Sequence, residues 1–341
     1  MHPVPVRRAP IVLTFPLLVG GLLGARTSLA GTVPSPHAML AIADPSLEPR
    51  RAGDGRDGGA SPAPFGLFLD GEPLPFRVNA FTLLPGELVR VSAPPAVAGV
   101  LRHQAGRAHA AEPGLWSWRA PQEPGIYALR LESARGAVDL TALVLHPASS
   151  IRAGKLGDYP IGQYRQTPLR GDPAYLPPVG FVEVAAADAD VLVSPHFSLG
   201  QFLCHQPGSP RYLALTRALV GKLESITSAL AERGIPRGSL EVMSGFRTPA
   251  YNQAIGNTTV YSRHLWGDAA DVYVDADGNG EMDDLDGDGR STVADAHVLA
   301  RWVDELATEG DWRPGGMGTY GPNTAHGPFV HVDARGTRAR W

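Results

Sequence analysis

The sequence predicts an α+β fold in two parts: a small all-β sandwich, then a domain that mixes an antiparallel sheet with helices. Three observations predict it. Between residues 65 and 148, apolar residues recur at every second position and turn signals break the run. Between 211 and 233 the apolar period changes to that of a helix. Beyond 240, short β-branched runs return, and near the end of the chain a histidine and an aspartate alternate with valines.

Taken in order, residues 1–30 read as an export signal. Arg7 and Arg8 form a charged region, an apolar run extends from Ile11 to Leu23, and Ser28-Leu29-Ala30 supplies small residues for cleavage. The run is short and broken by Gly and Pro, so no membrane span is expected after cleavage. The mature chain is then periplasmic or secreted. Its single cysteine, Cys204, has no partner for an intramolecular disulfide. Phe202 and Leu203 beside it predict a buried thiol. Residues 31–64 are rich in Gly, Pro and charge, and are expected to be a flexible linker.

The 65–148 segment contains Leu88-Val89-Arg90-Val91, Tyr127 to Leu131 and Val138 to Leu145, separated by turns such as Pro85-Gly86 and Pro124-Gly125. This spacing predicts a small antiparallel, immunoglobulin-like sandwich. His103 and His109 are isolated in it and expected to be solvated, so the domain reads as a spacer or partner-binding module. Residues 149–196 connect it to the second domain, with short strands at Tyr159 and at Phe181 to Val184. From 197 to 341, Ser198 to Gln201 forms a capping box. An amphipathic helix is expected over 211–233, its stripe being Leu215, Leu219, Leu223, Ile226 and Leu230 and its end Gly234. Leu240 to Met243 reads as a strand, Pro249 as a helix start, and Ala294 to Glu309 as a last helix.

His264 and Asp271 lie seven residues apart across small residues, and His331 alternates with Val330 and Val332 so that His331 and Asp333 share a face. Two imidazoles and a carboxylate are suitable donors for a catalytic Zn(II), which takes three protein ligands and leaves a fourth position for water. A hydrogen-bonded core histidine is the alternative for such a pair taken alone.

The formal charge is −4, and residues 275–295 hold seven Asp and one Glu against one Arg. The negative charge is therefore concentrated in one loop, and no basic patch calls for nucleic acid. Asp275, Asp277, Asn279, Glu281, Asp283 and Asp286 fall at alternate positions of a calcium-loop pattern around Gly280. Asp284, Asp286, Asp288, Thr292 and Asp295 repeat it around Gly289. At least one structural Ca(II) is expected, against the alternative of a solvated acidic loop. Because the two twelve-residue loops overlap across Asp284 and Asp286, two independent complete sites are not expected.

The joint pattern Ser262-x-His264-x-x-Gly267-x-Ala269-x-Asp271 and His331-x-Asp333 resembles the zinc D-Ala-D-Ala carboxypeptidase (D,D-peptidase) family, whose fold is similar to the hedgehog signalling domain. Ser244-Gly245-Phe246-Arg247 resembles the family's Ser-Gly-Tyr-Arg segment, with Phe246 in place of Tyr. Gly315 to Tyr320 resembles its glycine-rich strand, and Pro195 to Cys204 the opening segment of a bacterial subgroup. The likeness covers about residues 155–341. It implies a zinc peptidase acting on peptidoglycan peptides, with zinc on His264, Asp271 and His331. It also implies an active-site Arg247 that binds a substrate carboxylate or a developing oxyanion, with Ser244, Tyr251 and Asn252 beside the substrate. In one respect the chain departs from the family. The carboxylate or second histidine that usually precedes the last ligand by two or three residues is replaced by Pro328 and Phe329. Asp333 and His326 are the nearby candidates for the base, Asp268 a weaker one, and Asp333 could instead orient a ligand. The departure keeps open an alternative, a non-catalytic peptidoglycan-binding protein that retains the peptidase fold.

Overall fold

The computed structural model describes residues 40–54, 62–307 and 313–341. The expected export signal lies outside them. Among the described residues the chain is mixed α and β, rich in sheet and poor in helix, and no helix is long and apolar enough to cross a membrane.

The first part is built from two sheets of five strands each. One runs Leu40–Ala43, Gly99–His103, Gly125–Ser133, Gly136–Val144, Val78–Leu83. The other runs Glu72–Pro73, Phe68–Leu69, Leu88–Ser92, Leu115–Arg119, Arg107–Glu112. Alternation places Phe81, Val91, Leu101, Trp116, Trp118, Leu129, Leu131 and Leu140 in one shared core. Both buried indoles keep their N–H bonded, Trp118 to the Ala105 carbonyl at 2.9 Å and Trp116 to the Leu40 carbonyl at 3.2 Å.

Three expectations are corrected here. Part of the supposed 31–64 linker is structural: Leu40–Ala43 pairs in parallel with Gly99–His103, and Arg51 bridges Val191 and forms ion pairs with Asp188 and Asp190. The strand itself, Leu-Ala-Ile-Ala, is apolar, but it is short and set in a segment rich in Gly, Pro and charge, so the composition of the whole segment concealed it. The sheet is not purely antiparallel either, because Val78–Leu83 also joins Gly136–Val144 in parallel. Period-two patterning finds strands but not the direction of partners distant in sequence. Finally, His103 is buried, its Nδ1 facing the Ala105 carbonyl at 2.9 Å, whereas His109 is exposed.

The connecting segment is tied to both sides. Gly180–Val184 pairs with His146–Pro147 and with Arg211–Leu213, and Leu143, Leu145, Phe181 and Val184 share a core with the second part. Arg211–Leu213 is thus a strand, and the helix expected from 211 begins later. Thr216 caps it by accepting a hydrogen bond from the Leu219 amide at 3.3 Å, an interaction worth ~1 kcal/mol. The helices are α1 (Leu199–Phe202), α2 (Arg217–Glu232), α3 (Pro249–Ala254) and α4 (Val293–Leu306).

The second sheet runs Leu240–Ser244, Ala269–Val274, Phe329–Asp333, Gly316–Tyr320, Ala339–Arg340. One face presents Val272, Val330, Val332 and Met317 to the core they share with Leu223 of α2 and Leu299 and Val303 of α4. The register then sets Ser244 beside Asp271, Asp271 beside His331, and His331 beside Gly318. Since neighbours in register share a face, the alternation that builds the core also gathers a polar row on the opposite side.

Candidate metal centre

His264 reaches this row from a 3₁₀ turn, Arg263–Trp266, which ends at Gly267 in the left-handed region at φ 67°. A Cβ at Gly267 would stand 2.0 Å from the Ala214 carbonyl oxygen, so only glycine fits there. The turn is clamped from several sides. Arg263 forms a buried ion pair with Asp268 and stacks on Tyr175 at 4.4 Å. Tyr164 Oη donates to the Leu265 carbonyl at 2.7 Å, and Trp266 Nε1 to the Leu176 carbonyl at 2.8 Å. The connecting segment therefore braces the histidine-bearing turn. The Ser244–Arg247 segment completes the clamp: the His264 Nδ1–H donates to the Gly245 carbonyl at 2.6 Å, and the Arg247 amide donates to the His264 carbonyl at 3.1 Å. Gly245 is required, because a Cβ there would meet Phe202 Cα at 2.7 Å.

These constraints bring His264, Asp271 and His331 together, all buried. His264 Nε2 lies 3.2 Å from Asp271 Oδ1 and 3.1 Å from His331 Nδ1, and His331 Nδ1 lies 3.0 Å from Asp271 Oδ1. Zinc bonds of about 2.0–2.1 Å in a tetrahedron place donor atoms about 3.3 Å apart.

The proton positions follow from the outer partners. A carbonyl only accepts, so His264 carries its proton on Nδ1 and offers a lone pair at Nε2. On the far side of His331, Nε2 faces Asp333 Oδ2 at 3.4 Å, so in the neutral ring the proton sits on Nε2 and Nδ1 is the lone pair. Three acceptors thus converge with no proton among them, an arrangement that requires a cation or an added proton. The pKa directions agree. Burial lowers His264 and keeps it neutral. Burial also disfavours charge on His331, but hydrogen bonding to Asp271 and Asp333 outweighs it and raises this group to about 9. Asp271, despite burial, is held far below the usual carboxylate range by the two imidazoles.

Asp271 Oδ2 turns away from the triad and accepts from Arg247 Nη2 at 2.5 Å, while Arg247 Nε donates to Ser244 Oγ at 3.0 Å. Ser244 and Asp271 thus aim the guanidinium. Asp333 is fully buried and accepts from the Gly316 amide at 2.8 Å and from Arg335 Nε at 2.9 Å. Arg335 and His331 overcome the burial of this carboxylate and hold it far below its ordinary range. Such an anion orients His331 and is unsuited to accept a proton at neutral pH. His326 is directed elsewhere, to Asn323 at 2.7 Å and edge-on to Phe329. Asp268 is committed to Arg263. Each of the three proposed bases is thus engaged by another group, Asp333 by Arg335, His326 by Asn323 and Asp268 by Arg263. Asn252 is 3 % exposed, and its Nδ2 bonds the Asn257 and Thr259 carbonyls and pins a loop, while its buried Oδ1 has no hydrogen-bond partner. Tyr251 is half-buried and packs against the core.

The acidic loop forms two carboxylate groups, Asp275 with Asp277 and Asp283, and Asp284 with Asp286 and Asp295. They share no residue, contrary to the overlap expected from sequence. Asp295 Oδ1 accepts from the Leu285 and Asp286 amides and so draws Asp286 into the second group. Asn279 turns its amide to Asp277 at 3.0 Å, and Asp288 Oδ1 accepts from the Arg290 amide at 2.9 Å.

Residues that sequence reasoning passed over include Arg335, which holds Asp333, and Trp341, whose indole lies 5.3 Å from the His331 ring. Arg335 stands only two residues from Asp333, in a turn beyond the strand, whereas Trp341 is brought to His331 by the pairing of Ala339–Arg340 with Gly316 and Met317. Comparison with family models, curated proteins and solved structures finds no match to this chain.

Proposed function

We propose that the protein is a zinc-dependent peptidase, exported to the periplasm or secreted, that hydrolyses peptidoglycan stem peptides near D-Ala. The observation that carries the metal is the convergence of three lone pairs within 3.0–3.2 Å. The substrate class rests on the resemblance of the His264, Asp271, His331 and Arg247 segments to D,D-peptidases. His264 Nε2, His331 Nδ1 and Asp271 Oδ1 would hold Zn(II). That ion supplies polarisation of a peptide carbonyl and a nucleophilic water at neutral pH. Arg247, aimed by Ser244 and Asp271, offers its charge to a substrate carboxylate or a developing oxyanion. Asp333 keeps the His331 proton on Nε2, which frees Nδ1. Ca(II) in the two acidic groups would have a structural role, with oxygen donors suited to that ion.

A second reading is a peptidoglycan-binding protein that keeps the fold without turnover. It is favoured by one observation: Asp333 is held by Arg335 and by the outer nitrogen of His331, and His326 bonds Asn323, so neither is left to serve as a base. Digestion of purified muropeptides by the zinc-loaded protein, with mass-spectrometric products, decides between them. The peptidase releases D-Ala or splits cross-linked dimers. Stoichiometric binding without products establishes the second reading.

A further inference from the structure

The Gly316–Tyr320 strand places Gly316, Gly318 and Tyr320 on the face that carries His331, with Gly318 in register beside it. The two glycines leave a trough that the Trp341 indole fills. A Cβ at Gly318 would stand 2.4 Å from Trp341 Nε1, and one at Gly316 2.9 Å from Trp341 Cη2. Trp341 is nevertheless 54 % exposed as a residue, and Tyr320 is 39 % exposed. Neither ring belongs to a hydrophobic core cluster. Both are held in place: Trp341 Nε1 donates to Tyr320 Oη at 2.6 Å, and Tyr320 stacks on Phe329 with centroids 4.7 Å apart. Arg335 stands 5.4 Å from the indole centroid. The indole N–H is spent on Tyr320, so what Trp341 offers outward is a π face rather than a donor.

We propose that Trp341 and Tyr320 form an aromatic subsite beside the metal centre that binds a neutral, C–H-rich group of the substrate next to the scissile bond. The inference rests on the peptidase reading and adds a direction to it. Arg247 is bonded to Asp271, whereas Trp341 lies against His331, so charge and apolar surface meet the triad through different ligands. A substrate is oriented with its carboxylate toward Arg247 and its apolar part toward Trp341. In a muropeptide two groups have the required chemistry, the pyranose rings of the glycan and the aliphatic side chains of the peptide.

The test uses the zinc-loaded full chain, wild type beside Trp341→Ala, Trp341→Phe and Tyr320→Ala. Substrates are muropeptides with and without their disaccharide, and zinc content, KM, kcat and equilibrium binding are measured. Trp341→Ala is expected to raise KM and Kd about tenfold or more, with a much smaller change in kcat and one zinc retained. Trp341→Phe should recover most of the loss. An effect confined to disaccharide-bearing substrates identifies the pyranose, and an equal effect on both identifies the peptide side chain. Unchanged KM and Kd with zinc in place would overturn the subsite alone. Loss of zinc in Trp341→Ala would also overturn it, because the indole would then be only a prop for His331. A wild type that neither binds nor cleaves would remove the peptidase reading and the subsite with it.

Discussion

Replacing Asp333 with asparagine tests how the metal centre is oriented. The carboxylate holds the His331 Nε2–H from 3.4 Å and is itself fixed by the Gly316 amide and by Arg335. Asparagine can keep one oxygen toward the Gly316 amide. Its NH₂ then faces Arg335 Nη2 and the His331 Nε2–H, a donor against donors. His331 escapes by moving its proton to Nδ1, the atom that points at His264 and Asp271. A ligating nitrogen is thereby blocked. Loss of such an outer partner lowers metal affinity about 10–100-fold. The 3.4 Å separation is longer than a strong hydrogen bond, so the lower end of that range, about tenfold or ~1.4 kcal/mol, is the expected loss. Competition with a calibrated chelator measures it, and circular dichroism verifies the fold. A folded Asp333→Asn protein that binds zinc within twofold of wild type would refute the orienting role.

Other outcomes follow from the same geometry. Zinc must displace the proton that His331 holds up to about pH 9. Zinc uptake below that pH therefore releases a proton, and affinity rises about tenfold per pH unit before levelling above it. Calorimetry in two buffers of different ionisation enthalpy reads the proton count, and affinity independent of pH from 6 to 8 would contradict the linkage. Asp295→Ala strips the acceptor from the Leu285, Asp286 and Thr292 amides. It should cost about 2–4 kcal/mol in denaturant melts and abolish any rise in Tm on adding calcium. Gly267→Ala combines a left-handed backbone with a Cβ 2.0 Å from the Ala214 carbonyl. It should destabilise by more than ~2 kcal/mol and displace His264, visible as a lower Tm and lost zinc. A wild-type Tm would be inconsistent with this structure.

Part of the His264, Asp271 and His331 cluster was legible in sequence, because alternation puts His331 and Asp333 on one face of a strand and His264 stands in a turn closed by a glycine. That Asp271 faces His331 comes from the pairing of their two strands, which alternation within either one does not give. Arg247 was singled out by the resemblance of its motif and not by its local spacing, because an arginine after a strand is ordinarily a surface charge. Most of what remained hidden depends on partners far away in the chain. The Leu40–Ala43 strand exists because Gly99–His103 offers it an edge, and nothing in its own residues requires it. Arg211–Leu213 has apolar residues that suit a helix as well as a strand, and pairing with Gly180–Val184 decides. The role of Asp333 could not be read two residues from a ligand. It is set by Arg335 and by the Gly316 amide. The division of the acidic loop likewise depends on Asp295, a cap of α4 that reaches back to Leu285 and Asp286.

X-ray absorption and elemental analysis of the zinc-loaded protein, wild type beside His264→Ala, address the three converging lone pairs most directly. The account predicts one tightly held zinc per wild-type chain, with nitrogen and oxygen ligands at about 2.0–2.1 Å, and its loss in a variant that still folds. A folded wild type that takes up no zinc, or a His264→Ala protein that holds it equally well, would contradict it.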